Sequence, residues 1–264
     1  MDILAKILNN SELAEKIRLK CDIELYSQLQ KPDDMDGQIT WNINGKAFGI
    51  DGSGGEFVLL SDGTIGFNSS EGETGRIAEN IKELFSLLVN CPCFHDFFMS
   101  DIYKDKILLK KYADKIEKQY REEFNDMTEY DWDTIKIEIA KELNFSLDDN
   151  IAENTLIKFF KAATREPQYK STYHEEDGSL TLSEPFISRP MGEWIRIKYR
   201  GVIKIFYTME KLEEIHKEIL NGNMDILKDF PLLYCLSENK ENFVVLRKGR
   251  IVKEENRIKY FFKY

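Results

Sequence analysis

Residues 39–90 read ITWNINGKAFGIDGSGGEFVLLSDGTIGFNSSEGETGRIAENIKELFSLLVN, and the fold class turns on them. Four short strand-like runs precede one strongly amphipathic stretch. Residues 40–43 and 46–50 flank Asn44-Gly45, and residues 56–60 and 64–68 flank Asp62-Gly63. Asn-Gly and Asp-Gly readily supply the positive φ angles of tight hairpin turns. The spacing therefore predicts a four-stranded antiparallel meander turning at both dipeptides. Trp41, Ile43, Phe48, Phe57, Leu59, Ile65 and Phe67 supply its packed face by alternation. Between the hairpins, Asp51-Gly52-Ser53-Gly54-Gly55 predicts a sheet corner. A phosphate loop is disfavoured, because no Gly-Lys-Ser/Thr or GxGxxG follows and the next element reads as a strand. Residues 76–89 predict a helix lying on the sheet, with Ile77, Ile81, Leu84, Phe85 and Leu88 inward and Arg76, Glu79, Lys82 and Glu83 outward.

Upstream, Ser11 opens a helix whose apolar face is Leu13, Ile17 and Cys21, extended by Leu25 and Leu29 up to Pro32. Downstream of the bend at Pro92, helical texture is expected over about 101–125, 131–144 and 150–164. Residues 166–190 read as an exposed loop or a small hairpin around Asp177-Gly178, and as the best linker. Residues 194–200 and 202–207 read as a strand pair about Gly201. A helix over about 208–220 and closing strands complete the chain. The fold class is α+β, in two parts: residues 1–100 and 101–264.

The segment Phe48-Gly49-Ile50-Asp51-Gly52-Ser53-Gly54-Gly55, set between strands and followed by a turn, a strand and a helix, resembles the SMI1/KNR4 (SUKH) superfamily over about residues 10–100. In place of the Pro-x-aromatic segment usual in that family, this chain has Lys31-Pro32-Asp33-Asp34. The resemblance implies a curved sheet backed by helices and a non-catalytic binding module. Such a module is commonly a bacterial immunity protein that neutralises a cognate toxin, often a nuclease, by direct contact. A different class remains open: a hydrolase or other enzyme with a site in residues 101–264.

Composition narrows the choice. The net charge of −10 argues against a general nucleic-acid binder, which relies on many Lys and Arg to displace counterions. No apolar run reaches membrane-spanning length, and the first ten residues lack a signal-peptide pattern, so the expected setting is cytoplasmic. Cys21, Cys91, Cys93 and Cys235 do not form a disulfide framework and are expected as core or surface thiols. His95, His174 and His216 lie far apart, and neither HExxH nor a paired Cys/His spacing occurs. Ser53 lacks a GxSxG elbow and an evident base. No catalytic residue, metal or cofactor is expected.

Charge distribution supplies the candidate surface. Residues 117–150 hold eleven acids against four bases, whereas 240–264 hold eight bases against three acids. A basic protein partner would meet Glu122, Glu123, Asp126, Glu129, Asp131 and Asp133, with Tyr130 and Trp132 between the acids as aromatic anchors. The competing surface is the glycine bend at 51–55 with Glu71 and Glu73.

Overall fold

The computed structural model describes residues 3–99, 102–104 and 106–187, six strand segments beyond them, and residues 218, 221 and 223. By contact density the chain divides into Met1–Ser100 with Ile116–Arg189, and Asp101–Lys115 with Pro190–Tyr264. The contact division thus differs from the expected boundary near residue 100, because residues 116–189 pack with the amino-terminal sheet. The fold class is α+β, as expected.

In the first unit, α1 (Ile3–Leu8) precedes α2 (Ser11–Cys21). Asn10 caps α2, its Oδ1 accepting from the Leu13 N–H at 3.1 Å. Leu13, Ile17 and Cys21 are buried along one face. Asp22 ends the helix in the left-handed region at φ 49°. Leu25 and Leu29 consequently belong to a strand, β1 (Glu24–Gln30), and do not extend the helix. A spacing of four keeps two residues on one face of either structure, so periodicity alone did not separate them.

The main sheet combines β1 with β3 (Gly45–Ile50), β4 (Glu56–Leu60), β5 (Ile65–Asn68), β6 (Glu73–Ala78) and β9 (Glu184–Pro185), in the order β1-β3-β4-β5-β6-β9. All neighbours are antiparallel except β6 and β9. The Asp62-Gly63 hairpin joins β4 to β5 as expected. Gly63 has φ +83°, and Asp62 Oδ1 accepts from the Thr64 N–H at 3.1 Å. The 51–55 bend joins β3 to β4, with Gly54 at φ +93°.

The Asn44-Gly45 hairpin does not form. Neither residue has the positive φ that such a turn demands. β2 (Ile39–Trp41) instead joins a second, three-stranded sheet ordered β2-β7-β8, with β7 (Ser171–His174) and β8 (Leu180–Leu182). Asn42 directs this exchange: its Nδ2 donates to the Gln168 carbonyl at 2.7 Å and its Oδ1 accepts from the Lys170 N–H at 2.8 Å. Residues 166–187 are therefore no linker. They form the hairpin around Asp177-Gly178, add β9 to the main sheet and bury Tyr169 and Phe186.

The main sheet is covered on both faces. Phe48, Phe57 and Phe67 pack successively, with Phe57 and Phe67 centroids 4.8 Å apart, and Phe94 meets the Phe67 ring edge at 5.5 Å. Ala47, Val58 and Leu60 form the opposite face with Tyr169, against which Trp41 stacks at 5.4 Å. Burial on both faces erases simple alternation. It also hid β6, all six of whose residues are buried. Arg76 is inside this strand and not on a helix surface. It donates to Thr64 Oγ1 at 2.9 Å, to Asp62 Oδ2 at 2.8 Å and to the Pro167 carbonyl.

The helix expected from residue 76 begins at Ile81, as α3 (Ile81–Asn90), because Asn80 caps it by accepting from the Glu83 N–H at 3.0 Å. Leu84, Phe85 and Leu88 face the core as expected. α4 (Lys106–Met127), α5 (Trp132–Leu143) and α6 (Ile157–Ala163) match the three expected helical stretches, with one π-turn over Ala152–Leu156 ahead of α6.

Among its described residues the second unit has three antiparallel pairs: β10 (Ile195–Tyr199) with β11 (Val202–Phe206), β12 (Leu233–Leu236) with β13 (Phe243–Leu246), and β14 (Ile251–Glu254) with β15 (Arg257–Tyr260). The pair about Gly201 and the closing strands are as expected. The helix over 208–220 lies outside the described residues apart from residue 218.

Candidate functional site

The glycine bend and the end of α4, expected as competing surfaces, both line one cleft in the first unit. Its volume is about 750 Å³. The bend contributes Asp51 and Ser53, and the β5–β6 turn contributes Ser69, Glu71 and Glu73. Tyr120, Glu123, Phe124 and Met127 of α4 line the cleft too, with Thr128 beyond the helix. The end of α2 supplies Arg18, Lys20 and Asp22, and Phe67, His95, Phe98 and Trp132 also line it.

Local structure sets each of these groups. The bend folds back on Asp51, whose Oδ1 accepts from the N–H groups of Ser53 at 2.9 Å and Gly55 at 2.7 Å. Its Oδ2 lies 3.4 Å from His95 Nε2. Burial pushes the Asp51 carboxyl up, but His95 and the Gly55 and Ser53 N–H groups outweigh it, and the carboxyl ends below its ordinary value. Asp51 therefore presents a held anion. The His95 ring packs against Phe94 at 3.9 Å and meets Phe67 edge-on at 5.1 Å, which restricts its orientation. Glu73 is only 7% exposed and accepts from Ser69 Oγ at 3.0 Å. Burial and the nearby Asp96 carboxylate push the Tyr120 phenol up, so it stays a neutral hydroxyl.

Lys20 is the unusual member. It is 2% exposed, and its Nζ sits 3.1 Å from the centroid of the Trp132 ring. Among the described residues neither Lys20 Nζ nor Trp132 Nε1 has a hydrogen-bond partner. Burial brings the amine down to about 7, with the thiol of Cys21 opposing the fall and Lys136 adding to it. Beside it, Cys91 and Cys93 place their sulfurs 3.6 Å apart in the core. The hydrogen bond with Cys93, and then burial, push the Cys91 thiol well up, away from thiolate chemistry. Among the described residues no group of three or more His, Cys, Asp or Glu is placed to hold a metal ion, and no helix is long and apolar enough to cross a membrane.

The expected surface residues divide. Glu122, Glu123, Asp126, Glu129, Asp131 and Asp133 are exposed, and Tyr130 is 37% exposed. Trp132 is not a surface anchor: at 1% exposure it is buried beneath Lys20 and against the edge of Phe124 at 5.5 Å. It opens α5, and the first turn of a helix packed on α2 points this ring inward. Three of the acids are partly engaged. Asp131 caps α5 by accepting from the Thr134 N–H at 2.8 Å, Asp133 pairs with Arg121 at 2.9 Å, and Glu122 lies 3.6 Å from Lys118. Of the run, Glu123 alone also lines the cleft.

Lys20 and Asp22 escaped the sequence reading. A signal was present, since Lys20 falls three residues after Ile17 and seven after Leu13, on the apolar stripe of α2. Comparison of the chain with protein-family models, with curated proteins and with solved structures finds no match.

Proposed function

We propose that the chain is a non-catalytic binding protein of the SMI1/KNR4 kind, an immunity-type protein that neutralises a basic toxin domain by direct contact through the acidic cleft and the adjoining ridge of α4 and α5. One observation carries this reading. Five carboxylates, Asp22, Asp51, Glu71, Glu73 and Glu123, line a single concavity beside Arg18, Lys20 and His95, and four more acids, Glu122, Asp126, Glu129 and Asp133, are exposed in the neighbouring stretch of α4 and α5. A concave acidic surface steers a cationic partner and gives its basic side chains a partly desolvated place to pair. Tyr130 and Met127, the latter 83% exposed, supply apolar contact beside the acids.

The test is association of the purified chain with the product of the gene adjacent to its own, followed at rising salt. A stoichiometric complex whose association rate falls as salt screens the charges supports the reading. Absence of a complex, or a rate indifferent to salt, overturns it.

A further inference from the structure

We infer that β8 is a docking edge, which takes up an extended basic segment of a partner protein as a further antiparallel strand. β8 ends the sheet ordered β2-β7-β8. Hydrogen bonds of β7 fix which way that edge faces. The His174 N–H donates to the Gln38 carbonyl, so the backbone of His174, and by alternation that of Thr172, turns toward β2. The Ser183 N–H donates to the Ser171 carbonyl and the Glu175 N–H to the Ser179 carbonyl, so the residues between them in sequence number alternate toward β8. The register sets His174 opposite Leu180 and Thr172 opposite Leu182. Leu180 and Leu182 therefore turn their N–H and C=O groups away from β7, where among the described residues no strand meets them. Their side chains share one face and are 63% and 64% exposed, and residues 176–182 are exposed throughout. Such an edge is a template for another chain unless Lys, Pro or a bulge guards it. Leu180-Thr181-Leu182 has neither residue, and its register with β7 is unbroken.

Charge selects the occupant. Residues 171–188 carry Glu175, Glu176, Asp177 and Glu184 and no Lys or Arg. Two copies joined edge to edge would set these acids against their own kind, whereas a basic strand meets them with opposite charge. The two faces of the edge also differ. Thr181 Oγ1 donates to Glu175 Oε1 at 2.9 Å, which places this carboxylate on the Thr181 face, opposite the leucines. The matching strand therefore alternates, with apolar residues beside Leu180 and Leu182 and Lys or Arg beside Glu175. In antiparallel addition, the residues directly opposite the leucines are the ones whose N–H and C=O turn toward β8. Its apolar residues thus carry the backbone bonds, and its basic residues carry the charge contacts. None of residues 171–182 lines the cleft, so the inference goes beyond the reading of that surface.

The test adds synthetic peptides of alternating Lys and Val to the full-length, nitrogen-15-labelled protein and follows amide hydrogen exchange at Leu180 and Leu182 by NMR. One peptide is N-methylated at its lysines, which leaves free the N–H groups facing β8 and also blocks pairing between peptides. A second is N-methylated at its valines, and a third carries Glu in place of Lys with N-methylation at Glu. The first is expected to slow exchange at both leucines several-fold. The second and third are expected to bind about tenfold more weakly or not at all, the second for lack of backbone donors and the third through like charge. Unchanged exchange with the first peptide overturns the inference, as does equal binding of all three. Protection of the same amides that grows with protein concentration in the absence of peptide assigns the edge to a second copy and overturns it too. The peptides stand apart from any toxin, so this inference and the proposed function fail separately.

Discussion

Replacing Lys20 by Met removes a buried amine while keeping a flexible side chain of similar length over the Trp132 ring. In the unfolded chain this amine holds its proton up to its ordinary value of 10.5, whereas in the folded chain it releases it near 7. The unfolded state thus binds more protons between these limits, and stability rises with pH across that window. The cost to the fold is complete below pH 7 and absent above pH 10.5. At about 1.4 kcal/mol per pH unit of separation, Lys20 costs the fold about 4 kcal/mol at pH 7 and about 2 kcal/mol at pH 9. Attraction of the ammonium to the Trp132 face, about 1–2 kcal/mol when desolvated, is lost with the charge and makes these upper values. Lys20→Met is therefore expected to be more stable than the parent at pH 7, by an amount that shrinks by about 2 kcal/mol by pH 9. Urea unfolding of both proteins at the two pH values measures this, and the difference between them cancels every other titrating group. A variant less stable than the parent at pH 7, or a gap constant with pH, would show that Lys20 is paired and charged in the fold, and would refute the burial argument.

Changing Asp126, Glu129, Asp131 and Asp133 together to Asn or Gln is expected to slow association with a basic partner about tenfold at low salt and to flatten its salt dependence. The fold should persist, since Asn at position 131 still caps α5 and the Arg121 pair at Asp133 is exposed; an unchanged association rate in stopped-flow mixing would remove the ridge from the interface. Arg76→Met should destabilise by about 3 kcal/mol in chemical denaturation, because it removes the guanidinium that donates to the Pro167 carbonyl, to Thr64 Oγ1 and to the Asp62 carboxylate. Burial pushes the Asp62 carboxyl up, but Thr64 and Arg76 outweigh it and hold it down at about 2, so its contribution is present above pH 3.8 and lost as pH falls toward 2; acid unfolding of Arg76→Met should lose the Arg76 share of that pH dependence and keep the share of Thr64. Gly66→Ala places a methyl 2.7 Å from the Tyr169 ring and should cost about 1–3 kcal/mol by thermal or urea unfolding, with no change expected at the cleft.

Local chemistry made much of the fold legible. Asp62-Gly63 specified its hairpin because the turn needs only its own residues, and the Leu84, Phe85, Leu88 stripe specified α3 for the same reason. The exposure of Glu122, Glu123, Asp126, Glu129, Asp131 and Asp133 likewise followed from charge alone. Partners distant in sequence decided the rest. Asn42 could turn a hairpin or bind the backbone of residues 168–170, and only the folded chain brings that backbone within 2.8 Å. Arg76 reads as a surface charge until Asp62, Thr64 and the Pro167 carbonyl surround it. Trp132 reads as an anchor among acids until α5 packs on α2 and seats the ring beneath Lys20. The cleft is the clearest case. Its walls come from α2, the 51–55 bend, the β5–β6 turn and α4, segments separated by up to a hundred residues. Hydrophobic periodicity and turn propensity act over a few residues, so they determined which elements this chain forms. The juxtaposition of carboxylates, a histidine and an unpaired amine around one cavity is a property of long-range packing, and tertiary structure alone decided it.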